Sequence, residues 1–175
     1  MFDAQALFQV SLIGFAAILV LASVLWLVSL ALNDVSIIDS AWSILIILPA
    51  LSIITLLQQT GPRAALVMAM AALWAIRLAG YITWRNWGTG EDHRYREIRS
   101  RNQPHFKWKS LYLVFGLQGV LAWIVSAPLV IAIVSPHPPG WLDALGIALF
   151  VIGFVFETVS DLQLARFRGQ PANRG

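Results

Sequence analysis

Two carboxylates and a guanidinium close the last long apolar run of the chain, in the stretch FETVSDLQLARFR. On a helix turning 100° per residue, Glu157, Asp161 and Arg168 lie within about 40° of one another and so share one face. At the edge of a segment suited to lipid, such a face either marks the membrane boundary or turns toward a polar cavity. In a cavity the two acids can accept hydrogen bonds from ribose hydroxyls or a carboxamide, while the arginine takes a phosphate. The stretch WAIRLAGYITWRNWG holds a comparable row, with Arg77, Tyr81 and Arg85 at i, i+4 and i+8. Arg85 is close enough to the boundary to snorkel. Arg77 lies about 12 Å deeper, where a guanidinium needs a carboxylate or a bound anion.

The stretch NDVSIIDSAW supplies a third set. Asn33 and Asp34 suit a helix start and need no further role. Asp39 falls inside the first turns, ahead of an uncharged run to Gly61. A carboxylate at that depth requires a cation or takes up a proton. Arg77 or Arg85 is the expected partner.

The elements that must position these groups follow from hydropathy. With 58% hydrophobic residues, 12% charged residues and a mean hydropathy of +0.73 over 175 residues, the composition is that of a membrane protein. Five runs are long enough to cross a hydrocarbon core, which takes about 20 apolar residues in a helix. They predict an all-α transmembrane bundle in a single domain, with helices at 5–32, 36–58, 63–87, 110–134 and 141–168. The first run lacks the basic start of a signal peptide. Pro128 is a candidate kink in the fourth helix, and Pro136, Pro138 and Pro139 suit a tight turn before the fifth.

Lysines and arginines orient the bundle. Arg85, Arg94, Arg96, Arg99, Arg101, Lys107, Lys109, Arg166, Arg168 and Arg174 fall on one side, against Arg63 alone on the other. The positive-inside rule then places the N-terminus outside and the C-terminus inside, with a cytoplasmic loop at 88–109. That loop carries six Lys/Arg against three acids, with Tyr95, Phe106 and Trp108 between them. Attraction to anionic lipid heads, including an interfacial helix, accounts for such a loop, as does recognition of a phosphorylated ligand.

Several chemistries are excluded or disfavoured. The absence of cysteine removes disulfides, thiolate metal sites and cysteine nucleophiles. GTGEDH lacks the third glycine of a dinucleotide fingerprint and follows a membrane helix rather than a strand. His93, His105 and His137 have no metal-ligand spacing, and no metal is expected. Nothing in the sequence points to nucleic acid.

Taken in order and at these spacings, NDVSIIDSAW, LWAIRLAGYITWRNWGTGEDHRYREIR and FVFETVSDLQLARFR resemble the bacterial DUF1295 membrane proteins, relatives of the steroid 5-alpha reductases. The resemblance runs from Asn33 onward. It implies a helical bundle that takes NADPH from the cytosolic side and reduces an activated carbon–carbon double bond in a lipid, sterol-like or isoprenoid substrate. It implies that Glu157, Asp161 and Arg168 line the cofactor cavity, that Arg77 and Tyr81 contribute to it, and that Arg94 and Arg99 meet phosphate. Asp39 is the expected proton donor. The family pattern continues with further helices and an RHPNYFG-like segment, so a chain stopping at PANRG is expected to be a truncated member in the bacterial inner membrane. An isoprenylcysteine-type methyltransferase using S-adenosylmethionine is the alternative enzyme. A non-catalytic scaffold or transport protein is the other, and it would pair Asp39, Arg77, Glu157 and Asp161 only with one another.

Overall fold

The computed structural model describes residues 4–56 and 60–170, and these are helical with short connections and no strands. Helix α1 covers Ala4–Leu32, α2 Ile37–Leu56 and α3 Ala64–Asn86. The polar loop folds into α4, His93–Arg101. A short α5, Phe106–Ser110, then runs through a π-helical turn at Leu111–Gly116 into α6, Leu117–Val134. Helix α7 is Trp141–Gly169. Five of these stretches, at 7–32, 37–56, 64–86, 106–134 and 141–169, are long and apolar enough to cross a membrane. The protein is an integral membrane protein by that criterion.

One helix boundary moves by several residues. The second helix, expected to reach 58, is described to Leu56, and its last two residues fall outside the described set. The fourth span begins at Phe106 rather than 110, because the bases Lys107 and Lys109 sit on its first turn while Phe106 and Ser110 are buried. Pro128 lies within α6, which continues on both sides of it.

The chain forms two compact units, Met1–His137 and Pro138–Gly175. In the first, α2 is central and packs against α1, α3 and α6. Lipid tails are as apolar as leucine, so helices in a bilayer associate through close packing and interhelical hydrogen bonds. Both are present. A Cβ on Gly14 would stand 2.7 Å from the Cα of Pro49, so glycine lets α1 and α2 cross at near backbone contact. Ser43 donates to the Ala75 carbonyl at 2.9 Å, joining α2 to α3, and the Trp123 indole N–H reaches Ser11 Oγ at 3.2 Å, joining α6 to α1.

Two buried clusters occupy opposite ends of this unit. One, with Val10, Ala50, Ile53, Ala64, Ile133 and Val134, backs the α2–α3 connection. There the Gly61 N–H donates to the Ile133 carbonyl at 2.8 Å, and a Cβ on Gly61 would lie 2.0 Å from the Ser135 oxygen. The other cluster includes Trp26, Ile38, Leu45, Tyr95, Phe106 and Phe115 and underlies the α4 loop. Exposed apolar side chains such as Val20, Leu27, Ile76 and Ile131 cover the outer faces, as expected of surface bathed in acyl chains.

The second unit consists chiefly of α7. Its N-terminus is capped by Asp143, whose carboxylate accepts the Gly140 N–H at 2.7 Å. Glu157, Asp161 and Arg168 all lie on this helix, at the spacing that gives them a common face.

Candidate functional site

The polar end of the first unit is built where the start of α2 meets α4. Asp92 caps α4, its Oδ1 accepting the Arg94 backbone N–H at 2.9 Å. Asp34 does the same for the chain entering α2, accepting from the Ser36 N–H at 2.8 Å and from its hydroxyl at 2.5 Å. The Ser36 hydroxyl in turn accepts the Asp92 N–H at 3.4 Å, so the two helix starts are joined.

Glu91 and Arg99 lock this junction. Arg99 donates through Nε at 2.9 Å and Nη2 at 2.7 Å to the two Glu91 oxygens, a bidentate pair. Glu91 also accepts the Val35 N–H at 3.0 Å, and Arg99 reaches Asn33 Oδ1 and carbonyl at 3.3 Å. Its guanidinium lies 4.8 Å from the Phe106 ring centroid. Burial alone would push the Glu91 carboxyl up. The Arg99 hydrogen bond, the Val35 N–H and the charges of Arg99 and Arg96 outweigh it and hold Glu91 below the ordinary glutamate range. Arg99, expected at a phosphate, is thus engaged with a carboxylate and the α1–α2 turn.

Asp39 stands beside this lock and faces α4. Its Oδ1 accepts the Tyr95 hydroxyl at 2.5 Å and its Oδ2 accepts Arg94 Nη2 at 3.1 Å. The expected partner of Asp39 was Arg77 or Arg85, and this is corrected: its cation is Arg94, 55 residues away in sequence. Arg85 instead donates to Asn86 at 3.0 Å, and Arg77 lies 5.8 Å from the Tyr81 ring centroid. Arg77 and Tyr81 are therefore neighbours on α3, as their spacing implies.

Tyr95 is the residue that the sequence reading did not single out. It is 6% exposed, yet it sits on the most polar helix of the chain. Burial is the main influence raising its phenol above the ordinary tyrosine range. The hydrogen bond to Asp39 and the charge of Asp39 add to it, while Gln118 and Arg94 pull the other way. The hydroxyl is therefore a neutral donor across the physiological range. A pocket of about 190 Å³ opens beside it, walled by Arg94, Tyr95 and Gln118 on the polar side and by Ile98, Leu113 and Leu117 on the apolar side. The π-helical turn supplies Leu113, and such turns recur at functional sites because they re-aim the side chains that follow.

Arg94 remains the accessible cation of the group, with 59% of its side chain exposed, even though it also contacts Asp92 at 3.1 Å through Nε. A larger apolar groove, about 560 Å³, lies between α2 and α3 and includes Ile37, Ile44, Gly80 and Trp84. By helical phase its α2 residues lie about 150° from Asp39, so the groove and the carboxylate occupy opposite sides of that helix.

A family model described as a protein of unknown function, DUF1295, matches residues 25–175. The chain belongs to the DUF1295 family. No curated protein and no solved structure matches it. The three motifs that carried the resemblance fall on α2, on α3 with α4, and on α7. In this DUF1295 member two of them meet at one place, where Asp39 from the first contacts Arg94 and Tyr95 from the second.

Proposed function

We propose that this DUF1295 protein is an NADPH-dependent membrane reductase of the steroid 5-alpha reductase kind, acting on an activated carbon–carbon double bond in a lipid, sterol-like or isoprenoid substrate. The observation that carries the reading is the buried Tyr95 hydroxyl, held by Asp39 at the wall of a half-apolar pocket. A neutral hydrogen-bond donor in a dry site is what polarises the carbonyl conjugated to such a bond. Both Asp39 oxygens accept hydrogen bonds, so Asp39 orients the tyrosine, and the donor of the pair is Tyr95. Its one proton now goes to Asp39. A carbonyl entering the pocket competes for it, and Arg94 keeps Asp39 satisfied when the hydroxyl turns away.

The residues fit the cofactor at the level of donor chemistry. Within the first unit, Arg94 is exposed beside the pocket and suits a phosphate. Within the second, Glu157, Asp161 and Arg168 share a helical face with acceptors for ribose hydroxyls and a cation for phosphate. NADPH when bound would supply the hydride. In this reading the α4 end faces the cytosol, where ten of the twelve Lys/Arg residues belong, and the membrane is the bacterial inner membrane.

The test is a titration of the purified protein in detergent with NADPH, following nucleotide fluorescence. A saturable change that weakens at least tenfold in Asp161→Ala supports the reading. A signal that never saturates, or one indifferent to that substitution and to Arg94→Ala, refutes it.

A further inference from the structure

A further pocket, of about 290 Å³, is bounded by Arg99 of the Glu91–Arg99 lock with Gln103, His105, Phe106, Lys107 and Trp108. Its charges are not balanced among the described residues. Arg99 is neutralised by Glu91, but the Lys107 ammonium and the His105 ring make no hydrogen bond or ion pair with any other described residue. Lys109, two residues beyond Lys107, differs in donating to the Asn102 carbonyl at 3.1 Å. No carboxylate lines the pocket, so its net potential is positive and its complement is an anion.

The depth of the pocket selects the anion's carrier. Phe106 to Trp108 is the first turn of an apolar span, so these residues stand at the membrane interface. Trp108 has 66% of its surface exposed, the position in which an indole marks the headgroup layer. The backbone there is fixed, since the Trp26 indole N–H donates to the Lys107 carbonyl at 3.0 Å and the Trp26 and Trp108 rings stand 5.5 Å apart. Phe106, 2% exposed, anchors the turn from below. Lys107 and His105 are thereby presented from a rigid platform rather than from a mobile loop.

We infer that this corner is a binding site for the phosphate of an anionic membrane lipid, with Lys107 and His105 as its anion-holding residues and Trp108 against the glycerol region. It is separate from the Asp39–Tyr95 pocket and does not depend on the reductase reading. Like the positive charge of the loop as a whole, it would draw anionic lipid, but it does so through two named side chains.

Native mass spectrometry of the full chain, released from nanodiscs of mixed phosphatidylglycerol and phosphatidylcholine, reads the site directly. Wild-type protein should retain phosphatidylglycerol in preference, and Lys107→Gln with His105→Gln should lower that retention about fivefold or more. Lys107→Arg should restore it, and Arg96→Gln, an exposed base outside the pocket, should leave it within about twofold. Equal losses in Arg96→Gln and in the pocket variant would mean diffuse attraction and overturn the proposal. So would displacement of the lipid by NADPH or inorganic phosphate at equal concentration, which would assign the pocket to a soluble anion. Unchanged retention in the pocket variant overturns it outright.

Discussion

Removing the Glu91–Arg99 pair tests whether α4 is held to the start of α2 as described. The Glu91 side chain is 8% exposed and that of Arg99 21%, so the pair lies between two regimes. Exposed ion pairs contribute about 0.2–1 kcal/mol, whereas removing one partner of a fully buried pair costs about 3–5 kcal/mol. With two charge-assisted hydrogen bonds in partial burial, a coupling energy of about 2 kcal/mol is expected, roughly thirtyfold in the unfolding equilibrium. Each single variant should exceed that modestly. Glu91→Ala also leaves the Val35 N–H without its acceptor, and Arg99→Ala leaves a buried carboxylate with the Val35 N–H alone. The double variant should then fall short of the sum of the singles by the coupling energy. Unfolding in mixed micelles of rising dodecyl sulfate fraction, followed by tryptophan fluorescence, supplies the four free energies of the cycle. Because Glu91 titrates lower in the folded protein, its contribution is complete above the ordinary glutamate range and is lost as pH falls through the depressed value. Glu91→Gln should therefore flatten the acid limb of the stability profile. A coupling below about 0.5 kcal/mol, or an acid limb unchanged by Glu91→Gln, would refute the lock.

Tyr95, with its phenol raised, contributes stability that is present below the ordinary tyrosine range and lost as pH climbs through the folded value, so Tyr95→Phe should flatten the alkaline limb. Absorbance at about 295 nm should show the same residue silent up to about pH 11, the variant's curve overlaying the wild type's; amplitude lost near pH 10 would contradict its burial. Gly61→Ala should cost about 1–3 kcal/mol in the micelle assay, because the new methyl meets the Ser135 carbonyl oxygen and the α2–α3 turn must shift. A neutral result there would show that the turn does not approach α6 as closely as described.

The spans were legible because uncharged runs of that length have few alternatives, and their ends agree within a few residues except where charge intrudes. Lys107 and Lys109 hid the first turn of the fourth span, since a hydropathy reading assigns lysines to a loop even when Phe106 and Ser110 on the same turn are buried. The partner of Asp39 was hidden for a different reason. Spacing rules report neighbours along one helix, and so they found Arg77 and Tyr81 together but had no access to Arg94, which reaches Asp39 only once the loop folds back. Tyr95 could have been noticed as the apolar face of an otherwise polar helix, with Ile98 three residues on. The π-helical turn carries no signal in LYLVFG that an α-helix would lack, so its role in walling the pocket becomes visible only in three dimensions.

That turn also decides where the fourth span can absorb a change in length. A π-helical turn amounts to one surplus residue lodged in an α-helix. Deleting a single position within it, such as Leu113, would let the segment relax to regular α geometry with the residues before it still in phase with α6, whereas a deletion within α6 itself, such as Leu121, has no surplus to absorb it and would swing everything before it by about 100°. In that second case Phe106 would leave its buried seat, the Lys107 carbonyl would lose Trp26, and α4 would be dragged from Asp39, so a one-codon deletion should be far more damaging in α6 than at the π-helical turn.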